Sequence, residues 1–196
     1  MEKGEHYRIL KDAGLPVPIY GVFDSNSIKD AAKRTILRKC VNRILTQGSG
    51  LIGVRTEPKT SRSSLGGYPH YMPLRSFEEV IDAIKENERS MPKRQWWYLV
   101  NEAFTDYAWS AVLRLTQDGV LPGHWALDGE INLIDNLPLR PALDNAEKIT
   151  RARDWKGRDA AQIRKLILQS DLLEKWVEVS KVKVPTGPRL VFWGMR

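Results

Sequence analysis

The chain has 196 residues, 42% hydrophobic and 28% charged, and its 31 Lys and Arg against 24 Asp and Glu give a formal charge of +7. That length supports one sizeable domain or two small lobes with a core that needs no staple, and the single cysteine, Cys40, excludes an internal disulfide and any multi-thiolate metal site. No apolar run approaches the roughly 20 residues that span a bilayer and the amino terminus lacks a signal-peptide core, so the expected location is cytoplasmic with no membrane partner, while the basic balance permits a polyanion from nucleic acid to a nucleoside triphosphate.

Residues 2–13 read as a helix with Tyr7, Ile9, Leu10 and Ala13 on one side and Gly14 placed to end it. Pro16 and Pro18 make 15–20 extended, and Val22 and Phe23 complete a short strand. Asp24, Ser25, Asn26 and Ser27 offer N-caps for one long helix to about Gln47. Its expected buried stripe is Ile28, Ala31, Ala32, Ile36, Leu37, Cys40, Val41, Ile44 and Leu45, so Cys40 reads as an inert buried thiol. The opposite face carries Lys29, Lys33, Arg34, Arg38, Lys39 and Arg43, which suits either a solvated face or a nucleic-acid surface.

After Gly48-Ser-Gly50, the stretch from Leu51 to Tyr71 joins a short apolar run to a polar loop. Leu51, Ile52 and Val54 fit a strand; Arg55 and Lys59 bring fixed charge where the backbone leaves it. Ser61, Ser63 and Ser64 add hydroxyls, and Gly66-Gly67 lets backbone N–H groups approach an anion. The stretch reads either as a phosphate-holding loop or as an exposed surface loop, and its spacing fits neither the Walker A pattern nor the dinucleotide fingerprint.

Ser76 and Glu79 stand at capping-box spacing before a helix with Phe77, Val80, Ile81 and Ile84 inward and an end near Asn87. Trp96–Val100 is a β-prone run, with 108–115 as its expected antiparallel neighbour, and Asp118-Gly119 and Asp128-Gly129 mark turns of a meander through 131–134. Asp144-Asn145 can cap a short helix to Arg151, and a longer helix from about Arg158 would carry Ala161, Ile163, Leu166, Ile167, Leu172, Leu173 and Trp176. Val182–Val184 and Leu190–Trp193 read as extended, separated by Pro185-Thr-Gly-Pro188. His6, His70 and His124 are scattered and form no zinc motif. The pattern predicts an α+β fold with a mostly antiparallel sheet, divided into residues 1–95 with the phosphate-binding strand and loop and residues 96–196 with a hinge strand, hairpin and terminal helix.

Three segments then fall into one order: Lys3-Gly4 before the helix into Ala13-Gly-Leu-Pro-Val-Pro18, the strand end Val54-Arg-Thr-Glu57 followed by Gly66-Gly67 and Tyr71, and the strand Tyr98-Leu-Val-Asn-Glu102. That order resembles the ATP-grasp superfamily, in particular the nucleotide-binding part of phosphoenolpyruvate synthase and pyruvate phosphate dikinase, over roughly residues 3–135. Val-Arg-Thr-Glu departs from that branch's Val-Arg-Ser-Ser, and no phospho-acceptor histidine motif is present.

The resemblance implies an ATP-grasp-like fold of two small lobes holding Mg-ATP. Lys3 and Arg55 would hold the phosphates with Lys59, beneath a cover of Ser63, Ser64, Gly66 and Gly67. Residues 100–103, with Asn101 and Glu102, would form the hinge that reads adenine, and Trp97 or Tyr98 would shape an apolar wall. Magnesium would take Glu130, Asn132 and Asp135, the first two sharing a strand face at period two, although Glu130 and Asp135 also suit turn and strand-edge charge. Arg55 is the catalytic candidate in an ATP-dependent ligase or phosphotransferase acting on an unknown small-molecule or carboxylate acceptor. Two other readings stand beside it: a basic nucleic-acid-binding protein without catalysis, and a non-catalytic subunit of a larger assembly with a vestigial nucleotide cleft.

Overall fold

The structure is a computed structural model that describes residues 2–59, 69–92, 95–116, 119–127, 162–163, 165–166, 169–170, 172 and 175–195, with the backbone alone described for 2, 109–116, 119–127 and 176. The chain forms two compact units, one of residues 1–5 and 18–105, the other of residues 6–17 and 106–196.

The first unit is built on an antiparallel sheet of β1 (Tyr20–Asp24), β4 (Trp96–Glu102), β2 (Ile52–Pro58) and β3 (His70–Leu74), in that spatial order. Three helices accompany it: α2 (Asn26–Lys29), α3 (Ala31–Gln47) and α4 (Phe77–Ser90). Alternation along the strands sends Ile52, Val54, Trp96, Tyr98 and Val100 to one face, where they meet Leu37, Val41 and Ile44 of α3 and Phe77, Val80, Ile81 and Ile84 of α4. Each such buried side chain contributes about 1.5–3 kcal/mol by removal from water, which fixes both helices to that face and leaves the other face of the sheet for different use.

Two helix expectations are corrected. The single helix expected over 24–47 is broken at Asp30, whose backbone is extended (ψ 127°) and whose Oδ1 accepts from the Lys33 N–H at 2.8 Å. A residue that caps a helix cannot also continue the one before it, so α2 and α3 are separate. Ala31, Ala32 and Ile36, assigned to the buried stripe, are exposed, Ile36 at 60%, because burial on α3 begins only at Leu37 and continues at Val41 and Ile44, where the helix meets the sheet. The Ser76 cap expected before α4 is present, Ser76 Oγ accepting from the Glu79 N–H at 3.1 Å, while Glu79 Oε2 reaches back one residue past the N-cap and accepts from the Arg75 N–H at 2.7 Å.

The second unit has an antiparallel sheet in the order β6 (Gly119–Leu127), β5 (Tyr107–Thr116), β7 (Trp176–Val184) and β8 (Gly187–Met195). Its core joins Val177, Val179, Leu190 and Phe192 of that sheet to Ile163, Leu172 and, from the amino-terminal segment, Leu10 of α1 (Glu2–Asp12) and Leu15. The exit from α1 is a Schellman motif. Gly14 sits at φ +77°, its N–H donates to Lys11 O, and the Leu15 N–H donates to Leu10 O, both at 2.9 Å, while Leu15 and Leu10 share the core. Only a residue without Cβ takes that φ without strain.

Pairing and partition also differ from expectation. Residues 96–100 do not pair with 108–115: β4 lies between β1 and β2, and β5 lies between β6 and β7. Trp96, Tyr98, Leu99 and Val100 are all buried, so both faces of β4 are covered, which is the environment of a central strand. The same strand, expected to open the second lobe, is therefore in the first unit. Trp176 opens β7 and does not extend the helix assigned to 158–176. The expected elements at 131–134 and 144–151 lie outside the described residues.

Candidate functional site

The helix-free face of the first sheet is set by the register of β2. Gly53, Arg55 and Glu57 alternate away from the core positions Ile52, Val54 and Thr56. Gly53 is the cross-strand partner of Asn101, and Arg55 is the partner of Leu99 on one side and His70 on the other. Directly opposite residues project to the same face, so Arg55, His70 and Asn101 surround Gly53. A Cβ built on Gly53 would stand 3.3 Å from His70 Nε2 and 3.6 Å from Asn101 Oδ1, so the glycine leaves room for the ring and the amide to lie close over the strand. Arg55 is exposed, and Asn101 is held by its Nδ2 donating to Glu102 O at 2.7 Å. His70 has its pKa lowered, first by desolvation of the ring where it packs on the sheet and then by the Arg55 charge. The arrangement is one exposed guanidinium beside an imidazole and an amide that pack over the buried Gly53 backbone, a set of donors that suits an anion on its outer side.

Glu102 lies on the other side of the sheet. Its partner in β2 is Ile52, a core residue, so the carboxylate points toward the helices and is fully buried. Oε2 accepts from the Ile19 N–H at 3.3 Å, and Oε1 lies against Gly48 at the end of α3, where a Cβ would come within 2.8 Å of it. The strand end is anchored through its backbone as well. The Glu102 N–H donates to Ile19 O at 2.8 Å, the Ala103 N–H to Leu51 O at 2.9 Å, and Ser49 Oγ donates to Ala103 O at 2.6 Å. The 100–103 segment expected as a hinge is thus tied to both neighbouring segments, and two of its N–H donors are already committed.

Lys59, grouped with Arg55 from the sequence, is engaged at the far end of β2. Its Nζ stands 3.2 Å from Asp24 Oδ2 and 4.3 Å from the centre of the Trp97 ring. Burial alone would raise the Asp24 carboxyl, but the Lys59 hydrogen bond and charge, the Ser27 hydroxyl and Lys33 outweigh it and hold the pKa below its usual value. Lys3 is half-buried in the first turn of α1 and is engaged in an interaction of its own. Ser61, Ser63, Ser64, Gly66 and Gly67, and the metal candidates Glu130, Asn132 and Asp135, lie outside the described residues. Among the described residues no group of three or more His, Cys, Asp or Glu side chains is gathered to hold a metal ion.

Two features were missed from the sequence. His70 was seen only as one of three scattered histidines; strand alternation puts it on one face with Met72, but only the register of β3 on β2 sets it opposite Arg55. The other is a polar cavity of about 390 Å³ lined by Ser25, Asn26, Lys29, Lys59, Glu88, Pro92 and Gln95, assembled from four separate stretches.

No protein-family model and no curated protein matches this sequence. Solved structures do resemble it. The D-alanine-D-alanine ligase from Coxiella burnetii matches with a TM-score of 0.53 and 14% identity, covering 100% of this chain and 47% of that one. D-alanyl-alanine synthetase A from Vibrio cholerae O1 biovar eltor matches with a TM-score of 0.52 and 10% identity, covering 100% and 54%. The ADP complex of purK, an N5-carboxyaminoimidazole ribonucleotide synthetase, matches with a TM-score of 0.50 and 14% identity, covering 100% and 44%. The chain thus spans about half the length of each. These neighbours are ATP-grasp enzymes, and with its helix-backed antiparallel sheet this chain has an α+β, ATP-grasp-like fold.

Proposed function

We propose that the protein binds Mg-ATP on the helix-free face of the first sheet and works as an ATP-dependent ligase. The observation that carries this reading is the exposed Arg55 guanidinium beside side-chain-less Gly53 and the Asn101 amide, on a sheet of ATP-grasp-like fold. Arg55 presents a planar donor fork to the phosphates and stabilises charge as the terminal phosphoryl leaves. In this reading Lys3 adds its charge from α1, and the hydroxyls of Ser63 and Ser64 with the backbone N–H groups of Gly66 and Gly67 are the donors assigned to cover the phosphates. Glu102 acts at a distance, holding the strand end against Ile19 and Gly48. A base at that strand end meets carbonyl oxygens, each with a second lone pair, because the Glu102 and Ala103 N–H groups are used. Magnesium, whose hard-oxygen preference Glu130, Asn132 and Asp135 match, would neutralise phosphate charge when bound.

The reaction in this reading has a carboxylate oxygen of the acceptor attack the terminal phosphorus, expelling ADP and giving an acylphosphate. A nucleophile such as an amine then displaces inorganic phosphate. A phosphotransferase of the dikinase branch is the narrower reading that the Ala13–Pro18 segment supports, and product analysis separates the two: a ligase releases phosphate as the new bond forms, whereas a phosphotransferase leaves it on the acceptor.

The basic helix faces keep nucleic acid as the competing partner, but several α3 cations have other engagements. Arg38 and Arg34 lie 4.5 and 5.8 Å from the centre of the Phe77 ring, and Lys33 Nζ is 4.0 Å from Asp24 Oδ1. The test is a thermal-shift titration with Mg-ATP. A ligand bound only by the folded state at a hundred times its Kd stabilises by about 2.7 kcal/mol, so a rise in Tm of several degrees is expected, with Arg55→Ala reducing it to near zero. Absence of a shift together with salt-sensitive binding of single-stranded RNA overturns the reading.

A further inference from the structure

We infer that His70 is a second anion ligand of this site, its imidazole and the cross-strand Arg55 guanidinium holding one phosphoryl group between them on the exposed side of the β2–β3 pair. The inference rests on the reading of this face as a polyphosphate site and adds to it a residue and a proton.

Arg55 and His70 are directly opposed in the β2–β3 ladder, so their Cβ atoms stand about 4.5–5.5 Å apart on one face. Two cationic side chains opposed in this way repel each other, and a pair of that kind is destabilising unless a counter-charge sits between them. Gly53 and the uncharged Asn101 amide form the floor beneath this pair: a Cβ on Gly53 would meet the imidazole Nε2 at 3.3 Å, so an anion sits outward of the ring. Of the residues facing His70, Arg55 is the charged one beside it. Glu57 lies further along the same face of β2, and Lys59 and Asp24 at that end are paired with each other. His70 therefore sits where neutral imidazole is preferred in the free protein and imidazolium is preferred once a phosphoryl group arrives.

The consequence is proton uptake on binding. Below the free-state pKa of His70 the ring is already protonated and affinity carries no pH dependence from it. Above that value each bound polyanion must bring a proton to the ring, so affinity falls as pH rises, by up to about tenfold per pH unit until the bound-state pKa is reached.

The experiment uses the full chain with Mg-ATP and, separately, inorganic tripolyphosphate. Proton NMR follows the three histidine Hε1 signals through a pH titration, His70 being identified by loss of one signal in His70→Gln, and calorimetry gives Kd at about pH 6 and about pH 8. Expected are a rise in the His70 pKa of about one unit or more on saturation, and a loss of wild-type affinity across that range roughly several-fold larger than the loss in His70→Gln. His70 lies on an edge strand and is exposed as a residue although its Nε2 packs over Gly53, and glutamine keeps a polar side chain of similar reach there, so His70→Gln is expected to fold. An unchanged His70 pKa with Arg55-dependent Mg-ATP binding overturns the inference and leaves the proposed function standing. A raised pKa with tripolyphosphate but no binding of Mg-ATP keeps His70 as an anion ligand and sinks the nucleotide reading. No binding of either polyanion overturns both.

Discussion

At Lys59 a single side chain does something other than its composition suggests. With its Nζ on Asp24 and its charge over Trp97, it closes one end of the helix-free face. The lowered pKa of Asp24 means that the carboxylate form is preferred in the folded state, so the stabilisation is present above the unfolded carboxyl value and is lost as pH falls through the lower folded value. Lys59→Met is therefore expected to cost about 1 kcal/mol in urea unfolding at neutral pH, with the Asp24 part of that cost gone at about pH 2 and only the ring contact with Trp97 remaining. Cys40 is half-buried on α3, and burial pushes its thiol up to about 11 from 9.0. Two pKa units leave about a hundredfold less thiolate, so native-state alkylation by iodoacetamide at neutral pH should be slower than in the urea-unfolded chain by at least that factor, read by mass spectrometry. Here the sequence was sufficient, because an apolar helical neighbourhood is a local fact.

Among the elements, the junction between α3 and β2 carries the most consequence for the site. The Gly48 N–H donates to Ile44 O at 3.0 Å to end α3, and its Cα faces the buried Glu102 carboxylate. An added methyl would stand 2.7 Å from Ile44 O and 2.8 Å from Glu102 Oε1, contacts that real Cβ atoms do not make. Gly48→Ala is expected to destabilise by about 1–3 kcal/mol, since backbone must shift or the carboxylate must leave its hydrogen bond to Ile19. Guanidinium unfolding measures it, and a change within about 0.5 kcal/mol would show that Glu102 is not fixed there. The glycine was legible as a helix stop, and the clash with Ile44 O is local, but the second obstruction was not legible, because the Glu102 carboxylate belongs to a strand more than fifty residues away in sequence.

At the scale of the whole chain, the sequence by itself determined the local grammar: the helix end at Gly14, the Ser76 cap, the apolar stripe of α4, the β-prone run at Trp96 and the extended runs on either side of Pro185-Thr186. Each depends on interactions within a turn or two of chain, where residue type dictates the hydrogen bond or the buried face. What tertiary structure alone decided was partnership. Trp96–Glu102 prefers a strand in any context, but its insertion between β1 and β2 follows from covering both of its faces, and that choice carried Glu102 to the helix side and Arg55 to the other. His70 joined Arg55 because β3 turned back on β2 in one register, and a slip of one residue would have put the imidazole into the core. Residue types define which contacts are possible; cross-strand register, a long-range packing outcome, selects the ones that occur.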